Sequence, residues 1–346
     1  MFKSQAWLAL AAPVIAVLLS IATGGVLFLF FDIAPFDGLY YFLLDPLRDG
    51  YGVSELLLKI SPIVLCALGL LLCFKAGVWN IGAEGQYLAG CMAAGWCALQ
   101  LADSEGFWCL PLVLLAGVLG GLLWAAMAAA LKVRVGANEI LTTIMLNYIA
   151  VHLLMYLVNG PLKDPGGFSF PESAIFAGQV MLPVLSDSYR LNISIFFPLV
   201  LVALLWLLLK RSRFGFELGV VGNNPAAAQN AGISINRHVV LVLLISGACA
   251  GLAGAAEVTG PVGQLIPQLS VGYGYTAIIC VYLGRMHPVG VLLAAMLLGV
   301  TYVGAESVQL QYELPSAIAA AFQGLILFYL LAADKLINQL QPKVER

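Results

Sequence analysis

The chain has 346 residues, 62% of them hydrophobic and 10% charged, with a formal net charge of -2 and a mean hydropathy of +0.97. A water-soluble domain carries roughly 25% charged residues, so this composition excludes a water-covered globular body, and its hydrophobicity excludes disorder. The 16 Lys and Arg against 18 Asp and Glu leave no basic excess for nucleic acid, and membrane lipid is the expected solvent.

A membrane-crossing helix needs about 20 mostly apolar residues. Apolar runs built on charge-free stretches predict ten spans, at about 7–31, 57–74, 85–101, 107–131, 140–158, 192–209, 239–258, 272–284, 288–305 and 315–333, with Lys59 and Glu257 at the edges of theirs. The stretch 218–236 is also charge-free but too rich in Asn and Gln to lie in hydrocarbon. The first run, Trp7 to Phe31, is longer than the apolar core of a signal peptide and reads as a retained helix. Cytoplasmic loops of membrane proteins are enriched in Lys and Arg. With the N-terminus inside, only Arg48, Lys59, Lys163 and Arg190 of the 16 basic residues fall outside. The fold class expected is therefore an all-α polytopic membrane protein of about ten transmembrane helices, some interrupted, with both termini cytoplasmic, in a single domain over 1–346. The 7 cysteines lie in or beside apolar runs without CxxC spacing and read as small core hydrophobes.

Three polar segments stand out against this background. In Gly77-Val-Trp-Asn-Ile-Gly-Ala-Glu-Gly-Gln86, glycines relax the backbone while Asn80, Glu84 and Gln86 offer amide and carboxylate groups beside two apolar helices. Buried polar groups at membrane depth are costly and mark substrate pathways, whereas a cytoplasmic hairpin would solvate the same residues; composition leaves both readings open. A second short segment, 272–284, is likewise interrupted, and broken helices of transporters line the solute path. In the fifth span, Asn138 can cap the helix with Glu139 in its first turn, placing Thr143 and Asn147 on one face. Those two are either interhelical hydrogen-bond formers or part of a polar lumen. The loop 210–237 contains Gly222-Asn-Asn-Pro-Ala-Ala-Ala-Gln-Asn-Ala-Gly-Ile233, where Pro at a helix start and Gly at its stop specify a short surface helix. No GxxxxGK[ST], HExxH or nucleophile elbow occurs, so neither ATP binding by a P-loop nor an enzyme site is expected.

These segments, in this order, together with Gly272-Tyr-Gly-Tyr-Thr-Ala-Ile-Ile and Leu283-Gly-Arg-Met-His-Pro288, resemble the permease subunits of bacterial ABC importers in the ribose and branched-chain amino acid group. The likeness is to the nucleoside (basic membrane protein-associated) and simple-sugar branch, and runs from about residue 56 to 333. The resemblance implies a multi-pass protein of the bacterial cytoplasmic (inner) membrane that is not itself an enzyme and holds no cofactor. Its partners would be cytoplasmic ATP-binding subunits, a second permease subunit and an extracytoplasmic solute-binding protein. It also implies that Asn223, Asn224, Pro225, Ala227, Ala228, Ala231, Gly232 and Ile233 form the coupling helix that docks on the ATPase. The corresponding path would be lined by Trp79, Asn80, Glu84, Gln86, Thr143, Asn147, Tyr148, Tyr273 and Tyr275. Amides and aromatic rings with little fixed charge suit a neutral, stackable solute such as a nucleoside. The alternatives are a simple-sugar permease of the same build and an ion-coupled secondary transporter using Glu84 or Glu257.

Overall fold

The computed structural model describes residues 2–167, 170–186, 188–315 and 317–340. In chain order the helices are α1 (Phe2–Leu29), α2 (Pro35–Leu43), α3 (Gly50–Lys75), α4 (Ala83–Gln100), α5 (Cys109–Ala130), α6 (Glu139–Asn159), α7 (Phe196–Arg211), α8 (Arg213–Asn223), α9 (Pro225–Asn230), α10 (Ile235–Glu257), α11 (Tyr273–Leu283), α12 (Pro288–Tyr312) and α13 (Ala317–Leu340). Among the described residues the only extended pairing is an isolated bridge between Val184 and Asn192.

A helix stands at each of the ten expected spans, but only six are by themselves long and apolar enough to cross a membrane. They are α3, α5 with its continuation to Val135, α6, the stretch Ile193–Arg211, α10 with its continuation to Val262, and α12. The others fall short for separate reasons. Within α1 and α13 the apolar runs are the shorter Pro13–Leu29 and Ala317–Ala333. Helix α4 has 18 residues and carries Glu84 and Gln86 in its first turn. With 11 residues, α11 rises only about 17 Å, roughly half a hydrocarbon core. Helices α2 and α8 were not anticipated, and α3 and α12 extend beyond the apolar runs that signalled them.

The chain forms two compact units, 1–56 with 296–346, and 57–295, whose boundaries fall inside α3 and α12. The first is organised around Phe28, Phe42 and Phe322, with the Phe42 and Phe322 rings 4.2 Å apart. There Gly304 lets α12 lie against the backbone of α2, since a Cβ would stand 1.8 Å from the Phe42 carbonyl oxygen.

In the second unit α3 is almost wholly buried, and α4, α5 and α10 pack together through small residues. Gly117 and Gly121 of α5 meet Gly247 and Gly251 of α10 backbone to backbone: a Cβ on Gly251 would lie 2.3 Å from the Gly117 carbonyl oxygen, and one on Gly247 2.4 Å from that of Gly121. Lipid tails are as apolar as Leu, so helices in a membrane gain from close van der Waals contact rather than from burying apolar surface, and glycine one turn apart permits it. Beyond α10 a wide turn, Val258–Val262, ends at Gly263 with φ +75. The 170–192 segment is pinned across this turn, with the Leu182 amide donating to the Thr259 carbonyl at 2.7 Å and Phe176 to Gly263 at 2.8 Å. Six of the seven cysteines are buried.

Candidate functional site

The site lies in the second unit, where α3 stops at Lys75 and α4 starts at Ala83. Gly77 adopts φ +73 to turn the chain, and the backbone from Gly77 to Gly82 is not helical. Asn80, Glu84 and Gln86 are at most 1% exposed, which excludes the solvated hairpin. Buried non-helical backbone needs partners for its polar groups, and the neighbouring helices provide them.

Asn80 is held on both sides. Its Nδ2 donates to Ser246 Oγ of α10 at 3.0 Å and to Gln86 Oε1 at 3.3 Å, while its Oδ1 accepts the Gly82 amide at 2.8 Å. From α6, Thr143 Oγ1 accepts the Ile81 amide at 3.2 Å and donates to the Glu139 carbonyl at 2.6 Å. One turn on, Asn147 accepts the Gly85 amide and donates to the Ile81 carbonyl at 2.9 Å and to Tyr275 Oη at 3.2 Å.

Glu84 joins the break to the second interrupted segment. Its carboxylate accepts from the Gly272 amide at 3.0 Å, the Gly274 amide at 2.8 Å and Ser270 Oγ at 3.2 Å. The two amides are orphan donors at the start of α11, so a carboxylate here both satisfies them and meets the positive end of the helix dipole. Gly274 admits the contact, because a Cβ there would come 2.2 Å from the Glu84 nitrogen. The two broken segments are therefore one hydrogen-bonded assembly.

The aromatic residues divide. Trp79, Tyr148 and Tyr275 are 49%, 58% and 43% exposed, and Trp79 stacks on Tyr282 at 6.2 Å. Tyr273, also expected on the path, is 2% exposed, as deeply buried as Asn80, Glu84, Gln86, Thr143 and Asn147, and packs edge-on against Tyr87. It is buried because it opens the very turn of α11 that Glu84 draws inward. Ser246 and Ser270 complete the network and were not singled out in the sequence. Ser246 was discoverable as an isolated hydroxyl in the Gly- and Ala-rich run of α10, whereas Ser270 carries no such signal.

The 210–237 loop folds as two short helices. Ser212 caps α8 by accepting the Gly215 amide at 3.1 Å, and Asn224 caps α9 by accepting that of Ala227 at 3.1 Å. Gly232, at φ +76, ends the second as the Pro and Gly spacing predicted. Asn223, Asn224, Pro225, Ala227, Ala231 and Gly232 are exposed and Ile233 is partly so, but Ala228, expected in the same docking helix, is fully buried within the chain. The loop touches the break directly: a Cβ on Gly222 would stand 2.0 Å from the Lys75 carbonyl oxygen.

Broken helices whose backbone is satisfied by amides and a carboxylate from adjoining helices are the construction of a multi-pass membrane transport protein. The chain belongs to the family described as the branched-chain amino acid transport system permease component, whose model matches residues 52–331. It is 34% identical to a glucose ABC transporter permease protein of Haloferax volcanii, over 95% of this chain and 89% of that one. It is 33% identical to the guanosine ABC transporter permease protein of Bacillus subtilis, over 92% of each chain. A nucleoside ABC transporter permease protein of Lactococcus lactis subsp. cremoris is 28% identical, over 96% of this chain and 93% of that one.

Proposed function

We propose that this chain is the permease subunit of an ABC importer that moves nucleosides across a bacterial cytoplasmic membrane. The observation that carries the reading is the full-length likeness to guanosine and nucleoside permeases, at 33% and 28% identity. The exposed rings of Trp79, Tyr148 and Tyr275 beside uncharged amides agree with it, since a nucleobase offers a face to stack and edges to hydrogen-bond. In this reading all ten helical segments serve the membrane domain, both termini are cytoplasmic, and α9 presents its exposed face to an ATP-binding subunit. A second permease subunit completes the pathway and an extracytoplasmic binding protein delivers the solute. No cofactor is required of this chain, because ATP is bound by the partner.

A simple-sugar permease is the second reading, favoured by the 34% identity to the glucose permease. Family membership leaves the ion-coupled alternative without support, and Glu84 is already engaged by three donors. Uptake of labelled nucleosides and sugars by the reconstituted importer decides between the two. Competition of ATP-dependent guanosine uptake by other nucleosides but not by glucose or ribose is expected. Accumulation of sugars alone would reverse the assignment.

A further inference from the structure

The segments that join α7 to α8 and α9 to α10 enclose a cleft of about 910 Å³ into which Lys210, Arg211, Arg213 and Arg237 converge. None of these four has a carboxylate within ion-pairing distance among the described residues, and the cleft's Glu217 is engaged by His238 at 3.2 Å. The starts of α8 and α10, capped by Ser212 and Ser234, open on the same space and add the positive ends of two helix dipoles. Four cations against the single carboxylate of Glu217, together with two helix starts, leave a net positive cleft that suits an anion.

Its depth identifies the anion. Lys210 follows the apolar run of α7, with its Nζ 4.8 Å over the Trp206 ring. A Trp at a helix end with a Lys extending past it marks the headgroup level of a bilayer. The cleft is also walled by Phe214 and Phe216, the latter 71% exposed, which gives the anion site an apolar rim. A soluble anion has no use for that rim, whereas a phospholipid presents a phosphate and an acyl-glycerol body together. We propose that this cleft binds the phosphate headgroup of an anionic phospholipid, anchoring α8 and α9 to the membrane surface. Basic pockets beside membrane helices recognise lipid phosphates by the same electrostatics.

The test uses the full chain, assembled with its ATP-binding and partner permease subunits, in nanodiscs of phosphatidylcholine with or without phosphatidylglycerol. Retained lipid is counted by native mass spectrometry. Preferential retention of phosphatidylglycerol is expected, and Arg213→Gln or Arg237→Gln should each lower it by about fivefold. Arg134→Gln, at a basic position outside the cleft, should leave it unchanged. Both cleft arginines are exposed, so a thermal melt matching the unsubstituted protein confirms that the variants fold. Equal retention of the two lipids, or an equal loss with Arg134→Gln, overturns the proposal. Displacement by inorganic phosphate would reassign the cleft to a soluble anion, and lipid retained only by the chain without its ATP-binding subunit would reassign it to a protein interface; either result overturns it. Lipid retention is independent of the solute carried, so its failure is distinct from failure of the nucleoside reading.

Discussion

The side-chain oxygen of Asn147 lies 2.8 Å from the Gly85 amide nitrogen, a contact that residue 85 permits only as glycine, because a Cβ there would stand 2.9 Å from that oxygen. The other end of the same side chain donates to the Ile81 carbonyl, so one residue of α6 holds the non-helical segment and the first turn of α4 together. Asn147 is 1% exposed, so water is not at hand to replace either bond.

Asn147→Leu should therefore lower stability by about 1–2 kcal/mol, between the full cost of leaving buried groups unpaired and the smaller values found for polar contacts inside membranes. Asn147→Asp keeps the acceptor for Gly85 and loses the donors to Ile81 and Tyr275, so it should not restore full stability. Thermal melts of the purified protein in detergent read both effects. A leucine variant as stable as the parent would mean that the break does not depend on this clamp.

Two glycines of α8 make an internally controlled pair. Around Gly219 there is open space, and Gly222 packs on the backbone at Lys75, where the chain leaves α3 for the break. Gly219→Ala should stabilise by roughly 0.5–1 kcal/mol, the usual gain from removing glycine in a helix interior. Gly222→Ala should destabilise and depress ATP-driven uptake, because backbone cannot move aside as a flexible side chain can. Melting temperature and uptake rates on the two variants give the comparison. Matching behaviour would show that the contact between loop and break has no consequence.

The helices and the polar clusters were legible in the sequence to different degrees, for physical reasons. Apolar length located all ten segments, but it could not tell a crossing helix from the 11-residue α11, whose start is set by Gly272 at φ +90 and by contacts with Glu84. Asn80, Gln86, Thr143 and Asn147 were recognisable because a polar side chain in an apolar run must find a partner. Which partner it finds depends on helices distant in the chain: Ser246 lies 166 residues from Asn80. That Tyr273 and Ala228 are buried was not legible, since the rotational setting of a short, weakly amphipathic helix follows from packing rather than periodicity. The glycine seam between α5 and α10 was visible as Gly117, Gly121, Gly247 and Gly251, but only tertiary structure shows that these residues face each other.

That seam gives a third expected outcome. Gly251→Ala would place a Cβ 2.3 Å from the Gly117 carbonyl oxygen, in contact with backbone on the facing helix. Overpacking of this kind costs about 1–3 kcal/mol, and the effect should appear as a lower yield of folded protein and a lower melting temperature. Gly324→Ala, with open space around the added carbon, is the matched control and should be tolerated. Parity between the two variants, measured by size-exclusion yield and melting, would remove the seam as a determinant of packing.

The last expectation separates docking from packing within α9. Ala227 is exposed and Ala228 fully buried, although they are neighbours on one short helix. A charged side chain at 227 meets only what approaches from outside, so Ala227→Glu should leave folding intact and weaken association with the ATP-binding subunit. The same charge at 228 must be buried without a partner or force the helix off its support, so Ala228→Glu should impair folding of the loop itself. Copurification of the ATP-binding subunit, read beside the melting temperature of each variant, distinguishes the two. Normal copurification and transport by Ala227→Glu would make α9 a connector and shift the search for the ATPase contact elsewhere on this face.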